Sequence, residues 1–150
     1  MSELKISAIN NGVVIDHIKN DITQKLFSHL DIVDKTEMVS VAFNLKSSKM
    51  GYKGIIKIEN KTLTENEINK ISIMSPGCTI NYVKNGKIEK KIICEIPKKV
   101  NNILQCKTSK CISNNEKNIY SIFTIEQKKA TCMFCERTFD LIELEIKDEK

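Results

Sequence analysis

The spacing of apolar residues divides the first part of the chain into short strands and helices. Residues 4–9 alternate between polar and apolar as in a strand, Asn10-Asn11-Gly12 is a turn sequence, and an extended apolar run resumes at residues 13–15. Helical spacing follows over residues 21–31, and the apolar positions on one face are Ile22, Leu26, Phe27 and Leu30. Two further strands are predicted over residues 37–45 and 53–59.

A second helix and a hairpin complete this part of the chain. Thr64 and Glu67 have the spacing of a capping box and precede an apolar helical pattern, which ends at Pro76-Gly77. Strands over residues 78–83 and 87–95 flank Asn85-Gly86, a sequence typical of a tight hairpin turn. The order contains a β-α-β-β-α-β unit, so the predicted class is α+β, with a ferredoxin-like antiparallel sheet and two helices.

Residues 96–102 form the predicted boundary between two domains. Pro97 lacks a backbone donor, and the stretch that follows it is polar and basic. We therefore expect one domain over residues 1–97 and a small all-β domain over residues 98–150, with short strands near residues 119–125 and 139–146.

The composition is that of an ordinary globular protein. Of its 150 residues, 41% are hydrophobic and 29% charged, and no run of eighteen apolar residues could cross a membrane. The N-terminus has no basic region followed by an apolar run, so no secretory signal is predicted. A cytoplasmic location with no membrane partner is the expectation.

Four of the six cysteines lie close together in the second domain. Their spacing is Cys106-x4-Cys111, then twenty residues, then Cys132-x2-Cys135. The last pair alone fits a redox switch, half of a metal site or two buried thiols. A second pair at this distance favours one structural Zn²⁺ held by four thiolates. Each pair lies on a short loop, or knuckle, and a hairpin between the two knuckles brings the four sulfurs together as a tetrahedron. Cys78 and Cys94 are expected to be small buried side chains.

Charge argues against nucleic acid as the partner of this second domain. The net charge is +5, yet residues 101–150 hold eight basic and eight acidic side chains, so the excess lies in the first hundred residues. Four thiolates and Zn²⁺ would make the second domain slightly acidic, which is unfavourable for phosphate backbones. A zinc-ribbon protein that binds nucleic acid through its basic first domain remains the alternative.

The first domain contains no enzyme motif. A glycine-rich phosphate loop, paired carboxylates and a nucleophile motif are absent from the sequence. Lys57 is most simply an exposed strand lysine, His17 a partly buried histidine with a hydrogen bond, and Lys90-Lys91 a solvated sheet edge. The residues alone predict a non-enzymatic α+β domain joined to a zinc module.

Four segments, in one order over essentially the whole chain, carry a family resemblance. They are Gly12-Val-Val-Ile-Asp-His-Ile18, Met50-Gly-Tyr-Lys-Gly-Ile-Ile-Lys-Ile-Glu-Asn60, Cys78-Thr-Ile-Asn81, and Asn102-Ile-Leu-Gln-Cys-x4-Cys-Ile-Ser113 with Cys132-x2-Cys135-Glu. Together they closely resemble the family of aspartate carbamoyltransferase regulatory chains. The resemblance implies a non-catalytic subunit that binds CTP or ATP in its first domain and contacts the catalytic chain through its zinc domain. It also implies regulatory dimers that bridge catalytic trimers.

The resemblance implies roles for individual residues of the nucleotide site. Asp16 would contact the ribose, His17 and Lys91 the phosphates, and Lys57 the ribose and base region. The remaining expected positions, around base and sugar, are Ala8, Ile9, Asn81 and Ile88. At Gly86, better-known members carry a bulky aromatic that lines the base pocket, so the preference between pyrimidine and purine is left open.

Overall fold

The computed structural model describes residues 9–30 and 37–147. These residues form two compact units, one ending at Glu95 and one beginning at Ile96. The strand predicted over residues 4–9 lies outside the described residues except for Ile9, which is not in a strand.

The first unit has the predicted α+β order. Its elements are β1 (Gly12–Lys19), a 3-10 turn (Asn20–Ile22), α1 (Thr23–Ser28), β2 (Val39–Ser47), β3 (Gly51–Glu59), α2 (Glu65–Met74), β4 (Thr79–Lys84) and β5 (Lys87–Ile93). Within the described residues the sheet order is β2-β3-β1-β4-β5, and every pair is antiparallel. The first four strands have the ferredoxin-like arrangement, and β5 extends the sheet beyond β4. The predicted fold class is confirmed.

One face of this sheet is the apolar core. Strand register places Val41, Ile56, Ile15, Ile80 and Ile92 in one row across all five strands. Paired residues of antiparallel strands point to the same side, so this row forms a continuous apolar surface. Leu26 of α1 and Ile71 of α2 belong to the same buried cluster. The two helices therefore pack on this face of the sheet, whereas Val41 on the edge strand β2 stays 37% exposed.

The ends of α2 and of the β4–β5 hairpin form as predicted. The Thr64 side chain accepts a hydrogen bond from the Glu67 backbone, while the Glu67 carboxylate accepts one from the Thr64 backbone. At the hairpin tip, Asn85 and Gly86 have φ values of 52° and 77°. Positive φ at both central positions is the requirement of a type I′ turn, which matches the right-handed twist of paired strands.

The second unit is a small β structure around the cysteines. Its elements are β6 (Lys99–Asn101), β7 (Leu104–Gln105), α3 (Ile112–Asn115), β8 (Ile122–Glu126), β9 (Lys129–Cys132), β10 (Thr138–Asp140), a 3-10 turn (Leu141–Glu143) and β11 (Glu145–Ile146). The sheet orders among the described residues are β10-β9-β8-β6 and β11-β7. Val100, Ile103, Leu104 and Phe123 are fully or almost fully buried in it.

Two details of the second unit differ from the predictions. The polar stretch around Val100 is strand β6, because pairing with β8 satisfies its backbone and buries that valine. The strand structure predicted near residues 139–146 is present as two short strands, because a 3-10 turn separates β10 from β11 and the two belong to different sheets. Among the described residues, no helix has the length and apolar character needed to span a membrane.

Candidate functional site

The four clustered cysteines meet in the second unit with the geometry of a metal centre. Their sulfur atoms all lie within 4.8 Å of one another. Cys106 Sγ is 3.7 Å from Cys135 Sγ, and Cys111 Sγ is 3.7 Å from Cys132 Sγ. A tetrahedron of thiolates around Zn²⁺, with bonds of about 2.3 Å, has sulfur–sulfur edges of about 3.8 Å. The donor set therefore fits a tetrahedral metal that takes four sulfurs.

Side-chain hydrogen bonds fix the conformation of the loop between Cys106 and Cys111, which is the first of the two cysteine knuckles. The Asn114 amide donates to the carbonyl oxygens of Cys106 and Thr108, at 2.9 and 2.8 Å. The Asn115 amide does the same for Cys111 and Ser109, at 2.7 and 2.9 Å. Both asparagines belong to α3, so this single helical turn fixes the loop that carries the x4 spacing.

Hydrogen bonds and burial also set the proton affinity of the thiols. Burial raises the pKa of Cys106 to about 12. Burial also favours the protonated form of Cys135, but hydrogen bonding with the Arg137 backbone, the Thr108 side chain and the neighbouring cysteines outweighs burial and lowers the pKa of Cys135 to about 7. Donors aimed at a sulfur stabilise the thiolate, which is the form that binds a metal.

The outer face of the first sheet gathers residues predicted to contact a nucleotide. Register aligns Lys57 of β3, Val14 of β1, Asn81 of β4 and Lys91 of β5 in one row. They share the face opposite the helices, because their neighbours along each strand point into the core. Lys57 and Asn81 are each 8% exposed, so the expectation of a solvated Lys57 is wrong.

Asp16 and His17 lie at an irregularity of β1 beside this row. Between Ile15 and Ile18 the pairing with β3 slips, and His17 has φ 58°, which marks a β-bulge. Asp16 Oδ1 is 2.9 Å from Lys53 Nζ and accepts a 2.6 Å hydrogen bond from the His17 backbone. The His17 Nδ1 atom is buried and has no hydrogen-bond partner in the described part of the chain, although Asp16 Oδ2 lies 4.0 Å away. The predicted hydrogen bond of His17 is therefore missing at this atom.

The other positions predicted around the base and sugar do not all lie in this row. Ile9 is 5% exposed, whereas Ile88, paired with Val83, is 63% exposed. Ala8 lies outside the described residues. Gly86 donates its backbone N–H to the Asn10 carbonyl at 2.9 Å, which ties the hairpin tip to the turn before β1.

Lys53 is a charged residue at this face that sequence reasoning missed. It is four residues from Lys57 on the same strand, so the period-two rule places both side chains on one face. That periodicity could have identified it. The β-bulge at His17 had no comparable signal, because a bulge depends on a mismatch between two strands that are far apart in sequence.

Comparisons with known proteins cover both units. Residues 4–95 match the family described as the aspartate carbamoyltransferase regulatory chain, allosteric domain, and residues 98–145 match the metal binding domain of the same chain.

Relatives named aspartate carbamoyltransferase regulatory chain occur in bacteria and archaea. That of Methanococcus maripaludis is 42% identical over 143 residues, covering 93% of this chain and 95% of the relative. That of Vibrio parahaemolyticus is 37% identical over 142 residues, covering 92% of each. That of Photorhabdus laumondii has the same identity and coverage over 142 residues. These matches and the two-unit fold identify the chain as a non-catalytic member of the aspartate carbamoyltransferase regulatory chain family, with an allosteric domain and a metal-binding domain.

Proposed function

We propose that the first unit binds CTP and ATP on the outer face of its sheet. The observation that carries this proposal is the alignment of Lys57, Asn81 and Lys91 beside His17, whose buried Nδ1 has no hydrogen-bond partner among the described residues. Lysines and a histidine neutralise polyphosphate, and a buried nitrogen without a partner is stabilised when a ligand supplies one.

The individual roles are those that the family resemblance implies, and the surroundings of Asp16 are compatible with its role. Asp16 accepts from ribose hydroxyls through Oδ2, since Lys53 and the His17 backbone already occupy Oδ1. His17 and Lys91 contact the phosphates, and Lys57 contacts the ribose and base region. The positions around base and sugar are Ala8, Ile9, Asn81 and Ile88.

The metal of the second unit is one structural Zn²⁺ bound by Cys106, Cys111, Cys132 and Cys135. The sulfur–sulfur distances of 3.7 Å support this choice. With four protein sulfurs the coordination shell is closed, so the ion supplies stability and no water for hydrolysis. Cytoplasmic conditions keep such thiols reduced and available to the ion.

The second unit, proposed as residues 98–150, contacts the catalytic chain of aspartate carbamoyltransferase. Its second knuckle carries Met133 and Phe134, which are 51% and 39% exposed, and Ile142 is 95% exposed nearby in sequence. Exposed apolar side chains of this size are typical of contact surfaces.

The first unit, proposed as residues 1–97, also forms a regulatory dimer. Its edge strand β2 leaves Val41 and Phe43 37% and 47% exposed, in support of a contact with a second copy. In the complex of regulatory and catalytic chains, a nucleotide shifts the equilibrium between two quaternary states when it binds one state more tightly than the other.

The experiment is reconstitution with an aspartate carbamoyltransferase catalytic chain. The two chains should co-purify, and CTP or ATP should change the aspartate saturation curve of the complex. Removal of zinc should release the catalytic chain while nucleotide binding to the first unit persists. Unchanged curves would contradict the regulatory role, and steeply salt-dependent binding to nonspecific nucleic acid without complex formation would favour the alternative.

A further inference from the structure

The two cysteines outside the metal cluster face each other in the first unit. The Gly77 N–H donates to the Cys94 carbonyl at 2.8 Å, and the Cys94 N–H donates to the Cys78 carbonyl at 2.9 Å. Gly77 has φ 89°. A glycine in the left-handed region, followed by a residue that shares one partner with it, is a β-bulge of the G1 type. The bulge lies immediately before the start of β4 and immediately after the end of β5.

This bulge places both thiols on the core side of the sheet. Cys78 is 0% and Cys94 2% exposed, and both belong to the apolar cluster under the helices. Hydrogen bonding with Cys78 lowers the pKa of the Cys94 thiol to about 7 against the effect of burial. The same contact and burial raise the pKa of Cys78. Cys94 is thus the thiol of the pair that loses its proton more readily.

We propose that Cys78 and Cys94 form a reversible disulfide when the protein meets a hydroperoxide. The G1 bulge supplies the geometry, since directly opposed strand residues are within the Cα separation that a disulfide requires. Burial favours this product over a metal bound to both sulfurs, because a disulfide is complete with two sulfurs whereas a structural metal site takes four ligands, which an apolar core does not supply.

The reaction balances with peroxide as the oxidant. The Cys94 thiolate attacks one peroxide oxygen, so an S–O bond forms, the O–O bond breaks and hydroxide leaves. The Cys78 sulfur then attacks the resulting sulfenic acid, forming the S–S bond and releasing water with the Cys78 proton. Both sulfurs are oxidised and the peroxide is reduced. Peroxide would enter by local opening at the edge strand β5, where Ile93, next to Cys94, is 64% exposed.

The test uses the full chain loaded with zinc, so that the cluster sulfurs are occupied. Hydrogen peroxide is added and removed with catalase, and free thiols are alkylated in denaturant with a chelator. The main oxidised product expected on peptide mapping is a link between Cys78 and Cys94, with a mass lower by two hydrogens, and dithiothreitol should reverse it.

Two serine variants are the matched controls. Cys94→Ser should give no link and leave Cys78 alkylated, and Cys78→Ser should stop at a dithiothreitol-reversible sulfenic acid on Cys94, each with unchanged zinc content. The wild-type map tests the proposal even where a variant folds poorly. Full alkylation of Cys78 and Cys94 after the cluster cysteines have oxidised, or a link from either to a cluster cysteine, would overturn it.

Discussion

At the scale of single residues, neighbouring lysines of β5 differ because of the strand period. Lys91 is paired with Asn81 on the outer face, whereas Lys90 is paired with Tyr82 on the helix side. Their adjacency in the sequence predicts one solvated edge, and only the family resemblance assigns Lys91 to the phosphates. The strand register places the two lysines on opposite faces of the sheet. Lys90 is therefore a matched control for Lys91 in a binding experiment.

Replacement of Lys91 should weaken nucleotide binding selectively. For Lys91→Met we expect the Kd for CTP and ATP to rise about tenfold, because a charge-assisted contact to phosphate is lost at an exposed site. Lys90→Met should change the Kd less than about twofold, since its side chain is on the other face. Isothermal titration calorimetry of both variants gives the comparison. Equal effects would show that only the total charge of β5 matters.

At the scale of elements, close packing of α1 on β3 positions the strand segment that carries Asp16. Gly54 is paired with Ile18, next to the β-bulge. A Cβ atom at Gly54 would overlap the Thr23 side chain, with its distance from Thr23 Cβ only 2.6 Å. The Thr23 hydroxyl also donates to the Lys19 carbonyl at 3.0 Å. The sheet and the first helix therefore require glycine at this position.

Gly54→Ala should destabilise the first unit and disturb its proposed nucleotide site. We expect the free energy of unfolding to fall by about 1–3 kcal/mol, the usual cost of overpacking a tight contact. Urea denaturation followed by circular dichroism measures the change. The double variant with Thr23→Ala should lose less than the sum of the two single variants, because removing the hydroxyl and methyl relieves part of the overlap. Additive losses would place the strain elsewhere.

The capping box of α2 gives a second prediction for an element. Thr64→Ala removes the side chain that accepts from the Glu67 backbone at 3.2 Å. We expect a loss of about 1 kcal/mol in the free energy of unfolding, as for other helix caps. Thr62→Ala, two residues earlier, is the control, since Thr62 is exposed and lies before the cap. A loss as large for Thr62→Ala would contradict the capping role.

At the scale of the whole molecule, the two units differ in what stabilises them. The first has a five-stranded sheet under two helices, and its core extends from Val13 to Cys94. The second contains only about fifty residues, a size at which a core alone rarely suffices. Its cysteine cluster lies among short strands of two to five residues. Metal binding is therefore part of the folding energy of the second unit.

Metal removal should unfold the second unit and spare the first. Structural zinc contributes on the order of 10 kcal/mol of apparent binding energy, more than a unit of this size is expected to have in reserve. After chelation, hydrogen exchange should become fast over residues 98–147 and stay slow in β1, β3 and β4. Readdition of Zn²⁺ should restore protection. Simultaneous loss of protection in both units would show that they do not fold independently.

The sequence by itself determined the elements that depend on local chemistry. The Thr64 capping box and the Asn85-Gly86 turn are set by neighbouring residues, and their predictions are confirmed. Of the helix predicted over residues 21–31, the apolar face packs on the core, but α1 itself is shorter and follows a 3-10 turn. The spacing of the four cysteines likewise indicated the cluster that the fold assembles. The sequence segments that resemble the aspartate carbamoyltransferase regulatory chains indicated the family, and the family matches over both domains confirm that membership.

Only the tertiary structure decided features that depend on pairing between distant strands. The burial of Lys57, the contact of Lys53 with Asp16, and the bulge that gives His17 a positive φ all follow from the register of β1 against β3. The division of residues 139–146 between two sheets has the same origin. The physical reason is that strand register is fixed by cross-strand packing and hydrogen bonding, and these are summed over partners that no local window of sequence contains.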